Sequence, residues 1–330
     1  MRIGAYFDGF SDINGTVSSA KAAELAGFSS LWFAQHMGYR EAYVSAAIAA
    51  AATTRIKVVP VAITPYLWPP MPAAMSVATL IELAPGRVEL SVSVGNQLNL
   101  AESGIVPEKP LAVMRDYVVT LRALLAGETV RSKGVLYSLN GAHMEFQKGV
   151  KVPIHIASTG PRMLELAGEL GDGALLSPGL SLTTTRRCLE HVHSGLQRSG
   201  RVESSLQRVS LVIFHASEDG ETAKARLLKQ LAFMFRSRGH AENIGSAGLD
   251  IDHEAIIEAY ARQDYDAAIA LIPREAASVF GIAGTPKQCR ARLEEYESFG
   301  LDELVVGMSG DPVADRLTLD ILRDHIRRAS

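Results

Sequence analysis

Residues 153–179, PIHIASTGPRMLELAGELGDGALLSPG, leave this chain few ways to fold. Ile154 to Ala157 is a short apolar run that Ser158-Thr159-Gly160 breaks. From Pro161 apolar residues recur at helical spacing, through Leu164, Ala167 and Leu170, until Gly171. Proline suits a first helical turn, where its missing N–H is not needed, and glycine suits the stop. Ala174 to Leu176 then reads as a second buried strand. Two strands joined by a helix form a βαβ unit, and a βαβ unit requires a parallel sheet.

The turn inside this unit admits two readings. Backbone N–H groups at a helix start, backed by the helix dipole, converge on a point that suits an anion such as phosphate. Arg162 favours that reading, because a cation in a first turn opposes the dipole by roughly 0.3–1 kcal/mol unless something negative sits beside it. On the other reading, Ser158, Thr159 and Gly160 are a plain turn and cap, with Arg162 in solvent.

Strand and helix patterns alternate along the whole chain. Strands are expected at 2–7, 30–33, 56–63, 88–94, 154–157, 174–176, 209–214 and 303–306, with helices between them. Residues 128–150 break the rhythm with some β character, and 237–281 carry helical patches without a strand. Both read as insertions in a single domain spanning 1–330. Eight alternating strands is the count of a (β/α)8 TIM barrel. A doubly wound sheet normally carries a glycine fingerprint after its first strand, and Asp8-Gly9-Phe10 does not supply one. In a barrel the active site lies at the C-terminal ends of the strands. That rule selects His36, Thr64, Gly95 and Asn96, Ser158 to Gly160, and Ser177. A histidine in such a place is either a proton carrier or a structural hydrogen-bonding group, and Gly95-Asn96 is either a site or a turn. Met71, Met75 and Met114 read as core filler.

Composition removes several classes of function. Thirty-three basic and 36 acidic residues leave a formal charge of −3 without a basic block, so neither nucleic acid nor a membrane surface is an expected partner. Cys188 and Cys289 stand far apart, which argues against a disulfide framework or a zinc cluster and for a reducing, cytoplasmic setting. The N-terminus enters a strand pattern at once, with no leader pattern before it, and no apolar run is long enough to span a bilayer.

Several motifs carry a resemblance. Gly27-Phe28-Ser29-Ser30-Leu31-Trp32-Phe33 leading to His36, Ala52-Thr53-Thr54-Arg55-Ile56-Lys57, Thr64-Pro65-Tyr66, and Ala78-Thr79-Leu80 with Pro85-Gly86-Arg87 resemble the bacterial luciferase-like flavin oxidoreductases. The run from Ser158 to Gly173 is similar to the branch typified by methylenetetrahydromethanopterin reductase and deazaflavin-dependent glucose-6-phosphate dehydrogenase. Gly284-Thr285-Pro286 and Gly300-Leu301-Asp302-Glu303 resemble the family's last unit. The resemblance spans most of 20–180 and 283–308.

What it implies is a barrel that binds coenzyme F420, or alternatively FMN, at its C-terminal mouth and moves a hydride to or from a small organic substrate. His36 would lie beside the ring, Val61 and Ala62 would flank a cis peptide behind it, and Thr159, Gly160 and Arg162 would hold the phosphate. Asn96 stands where relatives often carry an acidic residue, Ser91 and Ser93 replace common glycines, and Arg40 lies near a position that is tryptophan in the sugar-phosphate enzyme. Members are often homodimers. The alternatives are an FMN-dependent monooxygenase of the same family, a flavin-binding protein without turnover, and a phosphate-binding barrel lyase or isomerase with no redox cofactor.

Overall fold

In the computed structural model, which describes residues 1–146 and 149–329, the eight expected strands form one parallel sheet. They are Arg2–Phe7, Ser30–Ala34, Lys57–Val61, Leu90–Val92, Ile154–Ala157, Gly173–Leu176, Gln207–Val212 and Glu303–Gly307. Numbered in chain order, they run third, second, first, eighth, seventh, sixth, fifth, fourth across the sheet. The ends meet through bridges Val58–Val88 and Ile63–Val92. Val58 N–H donates to Arg87 O at 2.8 Å and Ile63 N–H to Ser91 O at 2.9 Å. The sheet is therefore a barrel, with the helices outside it.

The alternation along each strand sorts the core into two layers. Leu31, Phe33, Val58, Leu90, Val92, Ile154 and Ile156 face the helices. Trp32, Val59, Val61, Leu175, Val209, Leu211 and Val305 fill the barrel. The floor of the barrel, at the N-terminal strand ends, is polar. Glu89, 3% exposed, bonds His155 Nε2 at 2.7 Å and pairs with Lys57, while Glu303 accepts from Ser29 and Ser30. A Cβ at Gly173 would overlap the His155 ring, so this glycine makes room for the network.

Burial alone would raise the Glu89 pKa, but the hydrogen bonds and charges of His155 and Lys57 hold it down to about 2. A carboxylate depressed on folding contributes stability that is complete above its unfolded value of 4.5 and is lost as pH falls through the folded value. The expected contribution is about 3 kcal/mol. Urea midpoints should therefore fall between about pH 5 and pH 2, and Glu89→Gln should be less stable at pH 7 with that part of the acid dependence removed. An unchanged acid slope in the variant would remove Glu89 as its source.

The helices Pro161–Leu170 and Leu182–Arg198 cross at two glycines. A Cβ at Gly168 would overlap the Val192 carbonyl, and one at Gly195 would overlap the Glu165 carbonyl. Backbone cannot yield as a side-chain tip can. Gly195→Ala should therefore cost about 1–3 kcal/mol of stability, read as a lower urea midpoint with an unchanged slope.

Departures from the sequence expectations are local. The 128–150 excursion holds an antiparallel hairpin, Val130–Lys133 with Ser138–Ala142; Gln147 and Lys148 of that excursion, and Ser330, lie outside the described residues. The seventh strand ends at Val212, not 214: Phe214–Ala216 leaves the barrel and pairs with Ile282–Gly284. The 237–281 segment is helical as expected, and its Ile244, Ile256, Ala268 and Phe280 form a second core with Leu227 and Leu231 of the helix Glu221–Phe235. Met114 is buried, but Met75 is 47% exposed and fills no core. Cys188 and Cys289 are free and buried. Among the described residues there is no cluster suited to a metal, and no helix is long and apolar enough to cross a membrane.

Candidate functional site

Because all eight strands are parallel, their C-terminal ends open on one mouth, and the residues selected by the strand-end rule surround it. His36 follows the second strand and is half-buried. Its Nδ1 lies 3.0 Å from the Asp8 carbonyl, an acceptor, so Nδ1 carries the proton and Nε2 is left with its lone pair. Burial lowers the His36 pKa from 6.5; the Asp8 carbonyl opposes this, and the charge of Arg236 adds to it. His36 is thus a neutral imidazole at pH 7. Phe10, 5.7 Å away between ring centroids, and Tyr39, at 6.5 Å, form an exposed aromatic rim beside it.

The wall next to it is built by the third and fourth strands. The Val61–Ala62 peptide is cis. Two residues on, Thr64 is 5% exposed and its hydroxyl has no partner among the described residues. Gly95 has φ +86°, and a Cβ there would lie 3.2 Å from the Thr64 hydroxyl oxygen and 3.0 Å from Leu100, so glycine keeps the space beside that hydroxyl clear. Asn96 is exposed and caps the short helix Gln97–Glu102, its side-chain oxygen accepting from Leu98 N–H at 2.9 Å. Its amide NH2 has no partner among the described residues and is left for a ligand. Tyr137, from the hairpin, donates its hydroxyl to the Pro65 carbonyl at 2.8 Å and so ties the excursion to the loop that carries Thr64.

On the opposite wall Ser158 accepts from Gly160 N–H at 3.0 Å and shapes the turn. No side chain caps the helix Pro161–Leu170, and Arg162 is exposed in its first turn. Ser177 is half-buried just past the sixth strand. Thr159 and Pro161 line an open cleft together with Leu180, Arg187, His191 and His240. An uncapped helix start beside a cation and a cleft is the donor set an anionic tail needs. The orphaned Thr64 hydroxyl and the Gly95 clearance fit a flat polar group at the mouth. Sequence reasoning missed the Asp8 carbonyl that orients His36, the Tyr137 tie and the approach of Arg236; none has a local motif. Arg40, noted for its position, spends its guanidinium on the Gly9 and Phe10 carbonyls at 3.2 and 2.9 Å, holding the loop after the first strand.

Comparison with known proteins agrees with this fold. The family model of the luciferase-like monooxygenases matches residues 2–303. A 5,10-methylenetetrahydromethanopterin reductase of Archaeoglobus fulgidus is 30% identical over 293 residues, covering 87% of each chain. An F420-dependent glucose-6-phosphate dehydrogenase of Beutenbergia cavernae is 29% identical over 307 residues, covering 89% of this chain and 86% of that one. The solved structure of the coenzyme F420 dependent tetrahydromethanopterin reductase from Methanopyrus kandleri superposes with a TM-score of 0.86 at 21% identity. It covers 98% of this chain and 97% of that one, a likeness of fold.

Proposed function

The chain belongs to the luciferase-like monooxygenase family, and on that premise we propose that it is an oxidoreductase transferring a hydride between coenzyme F420 and a small organic substrate. Its relatives include F420-dependent enzymes, which places F420 ahead of FMN as the cofactor. The observation that carries the reading is the pairing, on one mouth, of the orphaned Thr64 hydroxyl beside Gly95 with the uncapped helix at Arg162. The barrel, with its hairpin and helical insertions, is the domain we take to carry the activity.

The cofactor would supply the hydride chemistry; the protein's share is to bind, orient and exclude water. Thr159, Gly160 and Arg162 would neutralise the phosphate, and Ser158 keeps their turn in shape. Val61 and Ala62 would form the wall behind the ring. The hydroxyls of Thr64 and Ser177 and the Asn96 amide would hydrogen-bond ring or substrate. His36 Nε2 would take or return the proton that accompanies hydride transfer at the substrate.

Titration with F420 and with FMN, followed by visible absorbance and fluorescence, tests the cofactor. Micromolar or tighter binding of F420 with weaker FMN binding is expected, and binding of neither would favour the lyase or isomerase class. Steady-state reduction with candidate donors then separates an enzyme from a passive flavin carrier. Two further points belong to this reading. The exposed Val44, Ile48 and Met75 on the helices Ala42–Ala52 and Pro70–Leu83 suit a homodimer face, which sedimentation checks. The two buried free thiols suit the cytoplasm.

A further inference from the structure

The end of the helix Glu221–Phe235 reaches the barrel mouth. A Cβ at Gly179, shortly after the sixth strand, would lie 2.9 Å from the Met234 methyl carbon, and Gly239 and His240 line the cleft beside Thr159. Arg236 stands in sequence between these contacts. Its guanidinium carbon lies 3.6 Å from the Phe233 ring centroid and 5.7 Å from that of Tyr260, and one nitrogen donates to the Phe233 carbonyl. Neighbouring arginines are ion-paired, Arg238 with Glu254 and Arg187 with Glu242. Arg236 is half-buried, and among the described residues no carboxylate lies within ion-pairing distance of it.

A partly desolvated guanidinium without a counter-ion is an unfinished interaction, since a charge-assisted hydrogen bond there is stronger than in water. Its charge is felt at His36, at Tyr39, and at Glu102 in the helix after the fourth strand. The rim between them is aromatic: Phe233 is 41%, Phe10 45% and Tyr39 53% exposed.

We propose that Arg236 anchors the carboxylate of the substrate, and that the substrate is an organic monoacid with a flat apolar body lying on the Phe233, Tyr260 and Tyr39 rings, its reacting end toward His36. A carboxylate matches the planar fork of one guanidinium in a bidentate pair. A phosphate dianion would call for a second cation. Groups within the field of Arg236 include Glu102, which repels a dianion, tyrosines, and the histidines His36 and His240, which burial keeps neutral, His240 at about 4. The substrate role rests on the oxidoreductase reading; the anion site does not.

The test uses the full chain with and without F420, and benzoate and its neutral isostere benzamide as probes in calorimetric titration. Wild type should bind benzoate about 10–100-fold more tightly than benzamide. Arg236→Gln should abolish that preference, and Arg236→Lys should keep much of it. In an NMR titration the His36 pKa should rise when benzoate binds wild type, and should be raised already in Arg236→Gln, a readout that a merely structural arginine would not move. Equal binding of the two probes, or a benzoate preference that survives Arg236→Gln, would overturn the proposal. Failure of F420 to bind while the Arg236-dependent preference stands would keep the anion site and remove the oxidoreductase reading, so the two fail separately.

Discussion

His36→Asn is expected to lower turnover by about 10²–10⁴-fold while leaving cofactor binding close to wild type. The substitution is chosen from the geometry. The asparagine amide can still donate toward the Asp8 carbonyl that Nδ1 now engages at 3.0 Å, so the loop after the first strand stays tied. What disappears is Nε2, the nitrogen with a free lone pair. The phosphate turn lies on other strands and is untouched. The pH dependence gives an independent sign. Burial lowers the His36 pKa from 6.5, so a neutral base is present at pH 7, and activity should fall only as pH drops below that value. The acid limb of kcat/KM in wild type should therefore lie below 6.5 and be absent from the residual activity of the variant. Pre-steady-state reduction of cofactor-saturated variant separates the roles. A rate near wild type in that step excludes proton transfer by His36 and leaves it as a packing group beside the ring.

The parts of this molecule legible in its sequence are those governed by local physics. All eight barrel strands fall where apolar runs and glycine stops put them, because a parallel strand buried on both faces must be apolar. Helix starts were less legible. The first helix begins at Ile13, where Asp12 caps it through Gly15 N–H at 2.8 Å, and another begins at Pro70, with proline in its first turn. The fork after Val212 left no trace, since the apolar run continues unbroken through Ile213 and Phe214 while the backbone changes partner. The candidate site divides in the same way. His36, Thr64, Gly95 and the 158–162 turn could be named from strand ends and motif, and the Val61–Ala62 cis bond from family resemblance. The use of Asn96 as a helix cap could not, because an asparagine after a glycine reads equally as turn, cap or ligand. Arg236 was invisible for a different reason: its approach to the mouth depends on how the helical segment 237–281 packs against the helix before it.

Arg162→Glu should weaken F420 binding by about 100-fold or more without harming the fold. Loss of a charge-assisted contact to phosphate alone removes roughly 10–100-fold, and the introduced carboxylate adds repulsion of the same anion. The fold is indifferent for a physical reason. Arg162 is exposed, no ion pair holds it among the described residues, and no side chain caps its helix. Glutamate in that first turn complements the helix dipole, so thermal stability should stay level or rise by roughly 0.3–1 kcal/mol. A drop in affinity with a rise in melting temperature is a signature that general damage cannot imitate. Arg162→Met separates the two causes, since it removes the cation without adding an anion and should fall between wild type and Arg162→Glu. Salt provides the second axis. Added salt screens exposed charges, so the gap between wild type and Arg162→Glu should narrow as ionic strength rises. Gly195→Ala supplies the contrast, because pushing the 161–170 helix off its partner should weaken F420 binding and stability together. Unchanged F420 affinity in Arg162→Glu would return Arg162 to the solvent and leave the Ser158-Thr159-Gly160 turn as a simple helix start.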